Sequence, residues 1–399
     1  MNILEGVRVL DLSRVISGPF CSRMLGDLGA EIIKVESPRG DQLRAATPKK
    51  GGISAGFTQF NAGKRSVCID FTEPEGVDLI KQLAAKSDVL LENFRAGLLP
   101  SIGLGYDDIK SIHPGIIYCS ISGFGQDGPD AGRPAYTDII QALSGLDYAF
   151  QKMSGNTTDS PPGVPVSLAD TCASLNATVS ILAALYHRAM TGQGQYIDVS
   201  MLDSLIASND STLQRAIFSG GEPEKPNMIF RPPLQMKDGF MAASVALSFE
   251  KVVLAMDRPE LIVDERFKTD ALQKKNMAEY ISIVQQWALG QTVADASAIF
   301  DQLDIPYGKV NSSTEVLASD IIRDRKMKVD LKLADGTETS VLNTPFNFSS
   351  GKSEPGGPPP LLGEHSDEVL RDLLGLSDAA LQSLIDNEIV LTNGSGNSS

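Results

Sequence analysis

The 399-residue sequence predicts an α/β fold built on a mostly parallel sheet. Two observations carry this expectation. Short runs of strand length recur at 7–12, 31–36, 66–71, 88–94, 115–125 and 195–201. They are apolar nearly throughout, as buried strands are, and helical stretches lie between them.

The elements follow in order. VRVLDL (7–12), opened by Gly6, reads as a buried strand. A helix begins at Gly18-Pro19 and ends near Leu28, before Gly29-Ala30, and EIIKVE (31–36) is the second strand. A polar stretch rich in Gly, Pro and Lys runs from Ser37 to Lys64, and SVCIDF (66–71) is the third strand. Glu73-Pro74-Glu75 opens a helix to about Lys86, with acids in its first turn and a lysine in its last. DVLLENF (88–94) and GIIYCSISGFG (115–125) are two further strands. ASLNATVSILAALYHRAM (173–190) is a helix apolar nearly all round, which predicts burial, and QYIDVSM (195–201) is a strand after it.

The texture then changes. Residues 225–330 are helical and charged, with a hairpin expected in QMKDGFMAASVA (235–246), and they read as a separate smaller α+β domain. SSGKSEPGGPPPL (349–361) is an extended linker, a helix follows at 366–374, and a helical tail runs to Ile389. Residues 391–399, with the terminal NGSGNSS, read as a disordered tail.

Composition narrows the function. The chain carries 35 Lys+Arg against 50 Asp+Glu, a net charge of −15, which argues against nucleic acid or an anionic membrane as the main partner. The acidity is confined to one part. Residues 1–100 hold 13 basic and 12 acidic side chains, so an anion-binding site belongs in the first hundred residues. No signal peptide pattern opens the sequence, and no uninterrupted apolar run approaches the ~20 residues that span a bilayer. Cys21, Cys68, Cys119 and Cys172 lie far apart without a C-x-x-C. They read as reduced core thiols of a cytoplasmic protein rather than metal ligands or a disulfide scaffold. With only His113, His187 and His365, a metal site and histidine-based catalysis are both short of ligands, and no metal is expected.

Several standard motifs are absent. There is no G-x-S-x-G, GLGYDD (103–108) lacks the third glycine of a dinucleotide fingerprint, and NAGKRS (61–66) departs from a P-loop at Thr58 and Arg65. What remains is a set of basic and glycine-rich strand ends. It comprises Ser37-Pro38-Arg39-Gly40-Asp41 with Arg44, then Asn61 with Lys64 and Arg65, then Asn93-Phe94-Arg95 with Gly97, and Ser122-Gly123-Phe124-Gly125. Each alone suits a solvated surface. At the carboxyl ends of parallel strands they can converge, and Arg, Lys and close backbone suit a phosphate-rich ligand. Asp170 stands before the 173–190 helix. It suits a helix N-cap, and it equally suits a nucleophilic carboxylate kept ionised at a helix N-terminus.

These residues resemble the class III CoA-transferases, the group that also contains L-carnitine CoA-transferase, formyl-CoA transferase and α-methylacyl-CoA racemase. The resemblance runs nearly end to end. It is carried by LEGVRVLDLSRVISGPF (4–20), LGDLGAEIIKVESPRGD (25–41), NAGKRSVCIDF (61–71), ENFRAG (92–97), SISGFGQDGP (120–129) and RPAY (133–136). AALYHRAMTGQGQYIDVSMLD (183–203), DERFKT (264–269), IPYGKV (305–310) and LLGEHSDEVLRDLLGL (361–376) continue it.

The resemblance implies a ring-like, interlocked homodimer. Its large Rossmann-like domain would begin with 1–205 and be completed by 350–390, and 225–330 would form the smaller domain. It implies acyl-CoA and a free carboxylic acid as substrates, with CoA moved from one to the other. Asp170 would be the catalytic nucleophile, through an aspartyl–acyl anhydride and an aspartyl-CoA thioester. Val15, Ser17, Arg39, Lys64, Asn93, Phe94, Arg95, Gly123 and Tyr136 would contact CoA, with Arg39 and Lys64 at phosphates and Phe94 against the adenine.

Departures also inform. Ser101 stands where many members carry a base, and the proline of N-F-R-P-G is Ala96. Tyr136 stands where the racemase branch has its catalytic histidine, which favours transferase over the alternative, α-methylacyl-CoA epimerisation. The glycine-rich lid of formyl-CoA transferase is missing, since the stretch reads IFRPPLQMKDG (229–239). A CoA-binding subunit without turnover is opposed by retention of Asp170. Arg231, Gln235 and Lys237 suit either a second carboxylate of the substrate or plain surface.

Overall fold

The computed structural model describes residues 2–154, 163–209, 212–221 and 232–393. The chain divides into two compact units. The first comprises 1–147, 162–214 and 323–399, and the second 148–161 and 215–322.

In the first unit, six strands lie parallel: β1 (Arg8–Asp11), β2 (Glu31–Glu36), β3 (Arg65–Ile69), β4 (Val89–Glu92), β5 (Ile117–Ser122) and β6 (Gln195–Ser200). A seventh, β7 (Val390–Leu391), pairs antiparallel with β3 at one edge. The order is β7-β3-β2-β1-β4-β5-β6. Leaving β7 aside, this is the 3-2-1-4-5-6 order of doubly wound sheets, whose direction of growth reverses between β1 and β4. Ligands of such sheets lie at the carboxyl ends of those two strands.

The apolar runs behave as strands covered on both faces. Leu10 and Leu12, Ile33 and Val35, and Leu90 join one core with helix α2 (Pro74–Ala84). Val9, Ile32, Val89, Leu91, Ile117, Cys119 and Ile121 point the other way. They join a second core with α1 (Ser17–Asp27) and α4 (Leu168–Thr191). Between β5 and α4 the chain forms α3 (Thr137–Leu143), and after β6 it forms α5 (Met201–Ala207). The C-terminal helices α6 (Ser366–Leu374) and α7 (Asp378–Asp386) lead into β7.

Three local expectations are corrected. The 37–64 stretch is not merely a connection, for it holds a helix at Ala55–Asn61 whose N-cap, Ser54, accepts from the Phe57 N–H. Leu391, assigned to a disordered tail, is paired with Cys68 in β7, and residues 394–399 lie outside the described ones. Helix α4 is buried on one face only. Ala169, Ala173, Ala177 and Ile181 are inside, whereas Leu175, Val179, Tyr186 and Met190 form an exposed stripe. It is also the one helix among the described residues long and apolar enough to cross a membrane.

The second unit has a three-stranded antiparallel sheet of 234–235, 240–243 and 307–309, with helices Phe249–Ala255, Met277–Ala288 and Val293–Gln302. Phe249, Phe267, Tyr280 and Phe300 lie in its core.

Candidate active site

A cavity of about 250 Å³ opens at the carboxyl ends of β1, β4 and β5. It therefore occupies the crevice where the strand order reverses. Val15, Ser17, Asn93, Phe94, Arg95, Gly123, Tyr136 and Asp170 all line it.

The β1–α1 loop forms one wall, and buried charges hold it in shape. Asp11 ends β1 and is fully buried. One carboxylate oxygen accepts from the Ser13 N–H (2.9 Å) and hydroxyl; the other accepts from the Ser22 hydroxyl (2.6 Å) and Lys64 Nζ (2.9 Å). Burial pushes the Asp11 pKa up, but Lys64, Lys34 and the hydroxyls outweigh it and bring it to about 2. Lys34 Nζ donates to the Ser13 carbonyl (2.8 Å) and to Asp41 (3.1 Å), and Asp41 accepts the Val15 N–H (3.2 Å). Val15 needs that hold. Its φ of +67° is a strained conformation for a β-branched residue. Gly18 is equally constrained, since a Cβ there would lie 2.1 Å from the Ser13 Cβ.

Asn93 completes the wall. Its Oδ1 accepts the Arg14 N–H (2.8 Å), and its Nδ2 donates to the Arg14 carbonyl (2.7 Å) and the Ser17 hydroxyl (3.0 Å). The expected CoA contact thus acts within the protein as a clamp between β4 and the β1–α1 loop. Phe94 is also more structural than expected. Its ring is 9% exposed and packs edge-on against Phe71 at 6.1 Å, with the Arg14 guanidinium 5.1 Å from its centre. Little of the ring remains for a ligand. Its N–H donates to buried Glu92 (2.7 Å), whose pKa burial raises to about 7 against the pull of Ser120 and Phe94.

Lys64 corrects the sequence reading. Its ammonium is buried and donates to Asp11, the Pro19 carbonyl (3.0 Å) and Asn61 Oδ1 (2.9 Å). With three donors used, none is left for a phosphate. Burial lowers its pKa to about 8 despite the Asp11 charge. Arg39 is exposed in the loop after β2 and is not among the cavity-lining residues. Ser101, at the end of a short helix, donates its hydroxyl to the Leu98 carbonyl (2.7 Å). Gln235 and Lys237 are exposed in the second unit, and Arg231 lies outside the described residues.

Asp170 sits in the first turn of α4, three residues after the N-cap Ser167, so it is not itself the cap. Burial raises its pKa from 3.8 to about 6, opposed by the Ser17 hydroxyl and amide and by the Thr137 hydroxyl. The carboxylate therefore sits at the N-terminal end of α1, a favourable place for negative charge, and is ionised at neutral pH. Gln141, 2% exposed, sets the start of α4. Its Oε1 accepts the Leu168 N–H (3.0 Å) and the Thr137 hydroxyl (3.3 Å), and its Nε2 donates to the Val164 carbonyl (3.2 Å).

The sequence reading missed Arg14, Arg133, Thr137 and Gln141. Arg14 and Arg133 are exposed and line the cavity with Arg95, giving it three guanidiniums. Arg133 also pairs with Asp130 (3.1 Å) and lies 4.8 Å from the Phe124 ring centre. The signal was present. Arg14 follows the first strand and Arg133 opens RPAY, but nothing local gave either a role. Among the described residues, no group of three or more His, Cys, Asp or Glu is arranged to hold a metal ion.

A partly desolvated carboxylate and several guanidiniums thus stand together at the switch point of a doubly wound sheet, an arrangement that suits an anionic ligand. The family described as CoA-transferase family III matches residues 4–366, and the chain belongs to it. The protein is a CoA-transferase. It is 33% identical to succinyl-CoA:glutarate CoA-transferase of Mus musculus, over 98% of this chain and 91% of the relative. It is 31% identical to succinyl-CoA–D-citramalate CoA-transferase of Chloroflexus aurantiacus, over 96% of each. The crystal structure of a CAIB/BAIF family protein from Brucella suis superposes with a TM-score of 0.83. It is 32% identical, covering 94% of this chain and 100% of that one.

Proposed function

We propose that this enzyme moves CoA from an acyl-CoA donor to a small dicarboxylic acid, with Asp170 as the nucleophile. The observation that carries the reading is the Asp170 carboxylate. It is ionised at neutral pH yet partly stripped of water, at the one crevice the sheet topology reserves for a ligand. Support for the substrate class comes from relatives whose names specify glutarate and citramalate, both dicarboxylates.

The reaction divides into four acyl transfers. An Asp170 oxygen attacks the donor thioester carbonyl, and CoA leaves as thiolate, giving an aspartyl–acyl anhydride. The thiolate attacks the aspartyl carbonyl and releases the donor acid, leaving aspartyl-CoA. The acceptor carboxylate attacks that thioester, forming a second anhydride and freeing the thiolate. Attack of the thiolate on the acceptor carbonyl then gives the new acyl-CoA and restores Asp170. Arg14, Arg95 and Arg133 supply positive charge for phosphates or for the acceptor's far carboxylate. No step moves a proton at carbon, and Tyr136 rather than histidine stands at the cavity, so epimerisation is not favoured.

The same reading includes a homodimer in which a second copy covers the α4 stripe. An apolar row of Leu175, Val179, Tyr186 and Met190, 45–73% exposed, supports this.

The test incubates the enzyme with succinyl-CoA and a panel of mono- and dicarboxylates, and identifies new CoA thioesters by mass spectrometry. New thioesters of dicarboxylates are expected, and Asp170→Ala should abolish them. Absence of any transfer, or a fully active Asp170→Ala enzyme, overturns the reading.

A further inference from the structure

One buried polar atom beside the cavity is unaccounted for. Ser122 is the last residue of β5 and is 7% exposed, yet its hydroxyl has no hydrogen-bond partner within the protein. Buried hydroxyls are normally paired, because leaving one unpaired forfeits its bonds to water. The neighbourhood does not lack for pairing elsewhere. Ser120, two residues earlier on the same face of β5, accepts from the Tyr196 hydroxyl (3.3 Å) and serves buried Glu92. Ser122 differs from it in lining the same cavity as Asp170.

Gly123 also lines the cavity, and a Cβ there would fall 2.3 Å from the Ala135 Cβ. The Gly123 carbonyl accepts the Leu202 N–H (3.1 Å), which fixes the backbone immediately after Ser122. The orphan hydroxyl is thus carried on a rigid strand end, at the edge of the sheet where ligands of this fold lie.

We propose that Ser122 is a further catalytic residue, whose hydroxyl donates a hydrogen bond to the acyl oxygen of the thioester bound beside Asp170. The inference rests on the reading of Asp170 as the nucleophile. Attack on a thioester carbonyl places negative charge on that oxygen, and a fixed donor in a dry site stabilises the charge with little reorganisation. The pairing missing in the free protein would then be made by substrate. Nothing is transferred to or from Ser122; it keeps its proton throughout.

A buried serine with a structural role loses bonds when it becomes alanine, and the protein melts lower. An orphan serine loses none. Ser122→Ala should therefore melt at the same temperature as wild type or higher. Its kcat/KM should fall by roughly 10- to 1000-fold, mainly through kcat. Ser122→Cys, of similar shape with a weaker donor, should lie between the two.

The measurements are thermal melts without ligand and steady-state succinyl-CoA:dicarboxylate transfer, for wild type, Ser122→Ala, Ser122→Cys and Asp170→Ala. A kcat/KM for Ser122→Ala within twofold of wild type, or a fall in activity matched by a lower melting temperature, overturns the assignment. An inactive wild type or a fully active Asp170→Ala would instead remove the mechanism on which it rests. An active wild type, an inactive Asp170→Ala and an unaffected Ser122→Ala would remove Ser122 alone.

Discussion

Asp170→Asn isolates the energetic consequence of placing a carboxylate where this one stands. Burial raises its pKa from 3.8 to about 6. Each unit corresponds to about 1.36 kcal/mol between the protonation states, so the ionised group costs the fold at most ~3 kcal/mol. Allowing for solvent that still reaches it, ~1–3 kcal/mol is expected. The sign follows from linkage. The folded pKa lies above the unfolded one, so the cost is fully present above pH ~6 and disappears as pH falls toward the unfolded value. Asparagine keeps the shape and an acceptor oxygen for Ser17 and Thr137 but carries no charge. Asp170→Asn should therefore melt higher than wild type at pH 8, by about 1–2 °C per kcal/mol for a protein of this size, and the difference should shrink between pH 6 and pH 4. The same titration predicts that wild-type transfer declines on acidification through pH ~6, because the protonated acid is no nucleophile. Melts of both proteins at several pH values, with transfer assayed alongside, test the argument. A stability gain independent of pH, or a loss, would refute the desolvation reasoning, and normal turnover by Asp170→Asn would refute the role of the carboxylate.

Two other perturbations separate binding from scaffold. Lys64→Met strands the buried Asp11 carboxylate with one cation fewer, so the variant should lose roughly 3 kcal/mol or more of stability in denaturant melts; unchanged stability would return Lys64 to the list of ligand contacts. Arg95→Ala should raise KM for the acyl-CoA by roughly tenfold with little change in melting temperature, since the exposed guanidinium lines the cavity; an unchanged KM would place the CoA phosphates elsewhere.

The secondary structure of the parallel sheet was legible because strands covered on both faces must be apolar on both. VRVLDL, EIIKVE and DVLLENF carry that constraint within a few residues. The 37–64 stretch was not legible, because its helix at 55–61 is held by a serine cap and by contacts with residues far along the chain. Phe57 and Leu333 share one small core. Nor could periodicity tell that one side of α4 would stay exposed, since both sides are apolar.

The candidate site divides on similar lines. Residue types at strand ends pointed to Asn93, Phe94, Arg95 and Gly123, and a place before a helix pointed to Asp170, without saying which of their atoms face a ligand. Lys64 and Arg95 look alike as bases beside strands. Only the fold shows one ammonium spent on Asp11 and one guanidinium at the cavity. Gln141 carried no local signal, and Ser122 stood out only as the first residue of a glycine-rich strand end. Their meaning is relational, one fixing the start of a helix 27 residues on, the other left unpaired in a cavity. By itself, then, the sequence determined the strands and the family, because these depend on apolar patterning and residue identity. Which polar groups are satisfied within the protein and which remain for substrate was decided only by tertiary structure, because hydrogen bonding depends on distances between segments the chain order keeps apart.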